Sequence, residues 1–146
     1  VLAGNHQTPY GDKVKGLIDK YQLQDRIVLT GQIREEEKYW LYAHTEALLF
    51  PSLAEGFGLP VIEAMSQGKP TFLSTQTSLP EIGGDLAYYF ESFEEEAMAQ
   101  LIKEKLNEFY KNEEELKIKL KSRAAFFSWD NCLNSYLDYY KEIISS

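Results

Sequence analysis

The sequence holds a single cysteine, Cys132, so no disulfide can form within the chain. That usage fits a reducing compartment and reads as cytoplasmic. No apolar run approaches the roughly 20 residues a membrane-spanning helix needs, and no signal peptide is visible. Positive charge is scarce: 15 Lys and Arg stand against 23 Asp and Glu, for a net charge of −8. This argues against general affinity for nucleic acid or an anionic membrane surface. It leaves a local phosphate site open, because a helix N-terminus binds anions without net basic charge. There is no Asp-x-Asp pair, no internal repeat and no low-complexity linker. No G-x-G-x-x-G follows the first apolar run, where Gly4-Asn5-His6 stands instead, so a plain NAD-binding domain lacks its fingerprint.

What is present is a globular pattern. With 146 residues, 44% of them hydrophobic and 14% aromatic, the chain is large enough for one domain with a real core. It opens on Val1-Leu2-Ala3-Gly4 without an initiator methionine, which reads as the middle of a buried strand and suggests a fragment. Further strands are expected at Ile27–Gly31, Ala47–Phe50, Thr71–Ser74 and Leu86–Phe90. Helices are expected from Asp12 to about Gln22, Arg34 to His44, Pro60 to Gln67 and, as a short turn, Ser78 to Ile82. The second of these should turn Tyr39, Trp40, Tyr42 and Ala43 inward.

Everything after Phe93 reads as helix. One face should carry Ala97, Leu101, Ile102, Leu106 and Phe109. A charged helix then runs through Phe127. A last one, capped by Ser128, should have Trp129, Cys132, Leu133, Tyr136, Leu137, Tyr140 and Ile144 as its inner face. Continuous apolar strands alternating with helices imply parallel pairing with both faces covered. The expected fold class is a doubly wound, Rossmann-like α/β domain with a helical tail. Ligands of such sheets bind at the carboxyl ends of strands. The loops there are Gly4–Thr8, Gly31–Ile33, Pro51–Leu59 and Ser74–Ser78.

One stretch stands out, Pro51-Ser52-Leu53-Ala54-Glu55-Gly56-Phe57-Gly58-Leu59-Pro60-Val61-Ile62-Glu63. Strand, glycine turn and helix start make an anion site, since first-turn N–H groups lack helical partners and the dipole is positive there. Gly56 and Gly58 allow φ > 0 and close approach of a ligand to backbone. A diphosphate placed here would receive N–H groups from Phe57 to Val61, leaving out Pro60. Glu55 and Glu63, eight positions apart, flank the anion site. Glu63 near a helix start has an ordinary role in stabilising the dipole. A carboxylate there can instead accept two hydrogen bonds from a ribose diol. Glu55 has no helix to stabilise. Hydrolase acids flank one bond at ~5–10 Å. An anion site between the acids suits the two ends of a nucleotide-sugar better.

The stretch resembles the donor-binding half of retaining, GT-B-type glycosyltransferases of the large family-4 group. The resemblance rests on Pro51-Ser52, on Glu55 and Glu63 around Gly56-Phe57-Gly58-Leu59-Pro60, on Ala64-Met65, and on Gly68 and Pro70. Ser78-Leu79-Pro80-Glu81-Ile82, Phe127-Ser128-Trp129 and Val28-Leu29-Thr30-Gly31 extend it over nearly the whole chain. It implies metal-independent, retaining transfer of a sugar from a nucleotide-diphosphate-sugar, without cofactor. Cell-surface polysaccharide or glycolipid synthesis is common in the family. It also implies that Glu55 meets the transferred sugar, that Gly56, Phe57, Gly58 and Leu59 meet sugar and diphosphate, and that Glu63 holds the ribose. The base would lie against Gly31, Gln32 and Ile33. Residues 1–146 would then be the donor domain without its first strand–helix segment, which carries a diphosphate-binding Arg and Lys. The N-terminal acceptor domain would be absent too, and with it any peripheral contact with a membrane. Such a chain should bind nucleotide-sugar weakly and transfer nothing alone.

Three other readings stay open: a nucleotide-sugar epimerase or glycan phosphorylase on the same plan, and a non-catalytic nucleotide-binding module. The phosphorylase is weakened by the lack of a plausible lysine for its cofactor. Among residues outside the stretch, His6 reads as a surface loop residue and His44 as a helix-end residue. Cys132 reads as a packed thiol, and Glu81 as a residue orienting its loop. The run Glu113–Lys121 reads as a solvated face with i,i+4 pairs, and the dispersed tyrosines as a surface for the acceptor domain.

Overall fold

The structure is a computed structural model that describes residues 1–145. They form two compact parts, one from Val1 to Trp40 and one from Leu41 onward.

The first part holds β1 (Leu2–Ala3), α1 (Pro9–Lys20), β2 (Leu29–Gly31) and the start of α2 (Glu35–His44). β1 and β2 pair in parallel, with Leu2 opposite Leu29 and Ala3 opposite Gly31. The Thr8 hydroxyl caps α1 by accepting from the Gly11 N–H at 3.0 Å, and Pro9 opens the helix. α1 therefore starts three residues before the expected Asp12. Gly11 is required there, because a Cβ would stand 2.0 Å from the His6 carbonyl oxygen. Ile18 is the buried anchor of α1.

Three expectations fail in this part. β1 is exposed at both of its residues. In α2, Tyr39 and Trp40 are 49% and 59% exposed rather than turned inward. His6 is partly buried instead of lying free in a surface loop. Its imidazole is the neighbour that a Cβ at Gly31 would meet, at 3.4 Å, and its Nδ1 is enclosed without a partner.

The second part is built on three parallel strands in the order β3 (Leu48–Phe50), β4 (Thr71–Ser74), β5 (Tyr88–Phe90). Between them come α3 (Leu59–Ser66), α4 (Leu79–Gly83) and a 3-10 turn (Gly84–Leu86), with α5 (Glu95–Lys111), α6 (Glu113–Phe126) and α7 (Trp129–Ser145) after them. β4 is central and all four of its residues are buried, as a strand covered on both faces should be. On one face Leu73 joins Val61 and Met65 of α3, Leu79 and Ile82 of α4, Phe109 of α5, and Leu120 and Ala124 of α6. On the other, Phe72 packs against Tyr88 and Phe90, with ring centroids 5.0 and 6.2 Å apart. The α/β class and parallel pairing match the expectation, although the strands form two separate ladders.

The helical tail departs from it. The strand expected at Leu86–Phe90 starts only at Tyr88, because a 3-10 turn takes Gly84–Leu86. On α5, Met98 is partly buried while Ala97 is exposed. Ser128 caps α7 as expected, accepting from the Asn131 N–H at 3.2 Å. No α7 residue is buried, however: Trp129 is 89% exposed, and Leu133, Tyr136, Leu137 and Tyr140 lie open beside it. Cys132 is likewise exposed rather than packed. The apolar stripe that periodicity finds on α7 is real, but nothing among the described residues covers it. α6 does carry the expected i,i+4 pairs, Lys117 to Glu113 at 2.7 Å and Lys119 to Glu115 at 2.6 Å.

Candidate functional site

The carboxyl end of β3 runs through Pro51 into the glycine turn and then into α3. Gly58 caps α3 with φ 106° and ψ 43°, a left-handed conformation that glycine adopts without strain. A Cβ there would also approach Leu79 to 3.1 Å. Gly56 differs. It is not among the positive-φ residues, and the space where its Cβ would stand is empty within 4 Å. Of the two glycines, only Gly58 uses φ > 0, while Gly56 leaves room beside the backbone.

α3 starts at Leu59, with Pro60 second. The Val61 N–H turns back to the Gly58 carbonyl at 2.9 Å. Val61 is therefore withdrawn from the donors expected for an anion. Among the described residues, the backbone N–H groups of Gly56, Phe57, Gly58 and Leu59 enter no backbone hydrogen bond of the loop. Gly56, Phe57 and Leu59 are exposed, while Gly58 is buried.

Glu63 is the fifth residue of α3, just beyond the first turn, and is partly buried. The dipole effect fades within that turn, which weakens the ordinary explanation of the residue. Glu55 is partly buried too, and the Ser52 hydroxyl donates to its Oε1 at 2.8 Å. The loop around it is fastened by side-chain hydroxyls. The Glu55 N–H donates to Thr77 Oγ1 at 3.1 Å. The Ser78 hydroxyl donates to the Phe57 carbonyl at 2.9 Å, with the Glu55 carbonyl 3.3 Å away. The Ser74 hydroxyl donates to the Ser52 carbonyl and accepts from the Gln76 N–H at 3.3 Å. Thr77 adopts φ 53°, unfavourable for a β-branched residue at a cost of order 1–3 kcal/mol.

Sequence reasoning missed these fasteners. Their signal was available, since Ser74, Thr75, Thr77 and Ser78 place four hydroxyls in five residues at a strand end.

The structure thus brings Glu55, Gly56, Phe57, Gly58, Leu59 and Glu63 together on one loop–helix element of the second part. Gly31, Gln32 and Ile33 lie in the first part, at the carboxyl end of β2. There Gly31 has φ 72° and its carbonyl accepts from the Gly4 N–H at 2.8 Å. Among the described residues, no three His, Cys, Asp or Glu side chains converge as metal ligands. Among the described residues, no helix is long and apolar enough to cross a membrane.

The other end of the three-stranded sheet carries a shallow cavity of about 150 Å³, lined in part by Lys69, Pro70, Phe109 and Tyr110. Neither flanking acid reaches it. Beside it the Tyr110 hydroxyl donates to Glu46 Oε2 at 2.6 Å, which pushes the Tyr110 pKa up to about 12.

The chain is similar to known proteins along nearly its whole length. It is 34% identical over 125 residues to the O-antigen chain mannosyltransferase B of Escherichia coli, covering 86% of this chain and 32% of that protein. It is 31% identical over 149 residues to the serotype-specific mannosyltransferase WbdA of Escherichia coli, covering 100% of this chain and 18% of that protein. The chain therefore spans less than a third of the length of these relatives. Among solved structures, a glycosyltransferase from Rickettsia africae matches with a TM-score of 0.81 at 23% identity, covering 97% of this chain and 39% of that one. The sucrose-phosphate synthase of Thermosynechococcus elongatus matches with a TM-score of 0.73 at 25% identity, covering 94% and 35%. These likenesses place the fold among the GT-B glycosyltransferases. The family described as Glycosyl transferases group 1 matches residues 1–125, and the chain belongs to that family.

Proposed function

We propose that this chain is the donor-binding part of a retaining glycosyltransferase that takes its sugar from a nucleotide-diphosphate-sugar. The observation that carries the reading is the Glu55–Glu63 element. A left-handed glycine opens a helix, four backbone N–H groups stand at its start, and a partly buried carboxylate lies on each side. The diphosphate takes the amides of Gly56 to Leu59, which stabilise the charge that builds on it as the sugar departs. Glu63 accepts from the ribose hydroxyls. Glu55, held by Ser52, faces the transferred sugar. Gly31, Gln32 and Ile33 are the residues proposed for the base, on the pattern of the sequence alone. On this reading no metal or cofactor is needed, since amides and helix dipole supply the electrostatic stabilisation.

Two relatives are named as mannosyltransferases of O-antigen or serotype-specific synthesis. They support mannose as the transferred sugar and a cell-surface polysaccharide as the product. A neighbouring structure, HepE from Anabaena, was solved with UDP and glucose. It supports a nucleotide and a sugar as the ligands of this fold. The acceptor and any membrane contact belong to a further domain, so the isolated chain binds donor weakly and transfers nothing.

Calorimetry with UDP, GDP and ADP tests the reading. Binding of at least one, abolished by Glu63→Ala, is expected. Binding of NAD instead, or of no nucleotide, would sink it. Sugar transfer by the isolated chain above a Glu55→Ala control would disprove the inactivity.

A further inference from the structure

We propose that Arg123 and Phe127, at the end of α6, are positioning residues for the Glu55–Gly58 turn, an inference that rests on the donor reading above. Neither residue lies on the loop that would meet a ligand. Both reach it, by two separate routes.

The first route passes through α4. The last carbonyls of a helix have no helical partner. In α4 they are taken by Arg123, whose Nε donates to the Ile82 carbonyl at 3.1 Å and whose Nη2 donates to the Glu81 carbonyl. Gly84 sits under the guanidinium with φ 56°, and a Cβ there would press on it at 3.4 Å. Tyr89 secures the same end by donating its hydroxyl to the Gly84 carbonyl at 2.8 Å. The opposite end of α4 begins with Ser78, the residue that donates to the Phe57 carbonyl at 2.9 Å. Fixing one end of this five-residue helix fixes the clip at the other.

The second route is aromatic. The Arg123 guanidinium lies 4.9 Å from the centroid of the Phe127 ring and 5.7 Å from that of Phe126. Phe127 meets Phe57 edge to face, centroids 5.9 Å apart at 84°. Phe57 stands between Gly56 and Gly58, so its ring offers the turn an apolar grip beside the hydrogen bond from Ser52 to Glu55.

The residue types follow from this geometry. A lysine at 123 would supply charge to the α4 end, but not two donors in a plane that also stacks on a ring. Plain capping of α4 would explain Arg123 and leave the Phe127–Phe57 contact without a purpose. A brace on the turn explains both.

The test joins amide hydrogen exchange with affinity measurements on Arg123→Lys, Phe127→Ala and Phe127→Tyr. Exchange at the Glu55 and Val61 amides, which donate to Thr77 Oγ1 and to the Gly58 carbonyl, should speed up by about three- to tenfold in the first two variants. Phe127→Tyr keeps the ring and should behave as wild type. Affinity loss should grow with the reach of the ligand. It should be negligible for a nucleoside monophosphate and about tenfold for a nucleotide-diphosphate-sugar, the size of one lost aromatic pair. Unchanged exchange at the turn in folded variants overturns the proposal. So does equal acceleration along the whole chain, or equal loss for every ligand, which would mark a general loss of stability. If the wild type binds none of these ligands, the donor reading fails, while exchange still decides whether the turn is braced.

Discussion

The two ends of the three-stranded sheet are built by different means. At the carboxyl end, backbone groups are left open and side-chain hydroxyls do the fastening: Ser52, Ser74, Thr77 and Ser78 tie one loop to the next. At the other end, α3 closes with Gly68 and Lys69 returning their N–H groups to Met65 and Ala64 at 2.8 and 3.1 Å. Ionisable side chains settle among themselves there, Tyr110 with Glu46 and Lys117 with Glu113. One end spends its polar groups on itself. The other holds open amides in a fixed frame between two acids, the arrangement expected of a ligand site. The cavity of about 150 Å³ beside Lys69 and Tyr110 lies at the opposite end from this chemistry, and a diphosphate needs aimed donors more than enclosed volume.

Variants at the two ends should separate accordingly. The largest effect belongs to Glu63→Ala. Losing the hydrogen bonds of a charged acceptor costs about 2–3 kcal/mol, or roughly 30- to 150-fold in nucleoside diphosphate affinity. Lys69→Ala at the other end should leave that affinity unchanged in the same titration. Next come the two glycines, which should differ in kind. Gly58→Ala forces a side chain into φ 106° and should lower stability by about 1–3 kcal/mol in denaturant unfolding. Gly56→Ala should stay within about 0.5 kcal/mol of wild type, yet weaken diphosphate binding by filling the space beside the amides. If Gly56→Ala binds normally, the diphosphate does not lie there.

Ser52→Ala removes one hydrogen bond to Glu55, worth about 1 kcal/mol. It should reduce the extra affinity of nucleotide-sugar over bare nucleotide about fivefold, with the nucleotide itself bound as before. The smallest effect is alkaline. Tyr110 titrates at about 12 in the folded chain against an ordinary 10.0, held up first by its hydrogen bond to Glu46. A raised pKa means that this contribution is complete below pH 10.0 and is lost as pH climbs toward about 12. Tyr110→Phe should flatten that stretch of the stability–pH curve and leave nucleotide binding alone.

Much of this was legible in the chain, and the reasons can be traced residue by residue. Thr71–Ser74 read as a strand because a short stretch centred on Phe72 and Leu73 lies between a glycine–proline stop and a polar loop. α3 read correctly to within a residue because Gly58, Pro60 and Gly68 mark its ends. The acids and glycines of the turn stood out through residue type and spacing alone. The burial of α7 did not, since periodicity reveals an apolar stripe without saying what lies against it. β1 read as buried for the same reason. The hydroxyl clips between loops were missed because they join residues more than 20 positions apart, Glu55 with Thr77, Ser52 with Ser74 and Phe57 with Ser78. Arg123 was hidden in a lysine- and glutamate-rich helix, where its fork looks like one more solvated charge.

The central claim is that a nucleoside diphosphate sits on the open amides at the carboxyl end of the sheet. Backbone amide shifts followed by NMR during a nucleoside diphosphate titration test it most directly. The account predicts that Gly56, Phe57, Gly58 and Leu59 move together and saturate at one dissociation constant, while Gly68, Lys69 and Tyr110 stay still. Shifts confined to Thr45, Lys69 and Tyr110 around the cavity, with the glycine turn silent, would contradict it.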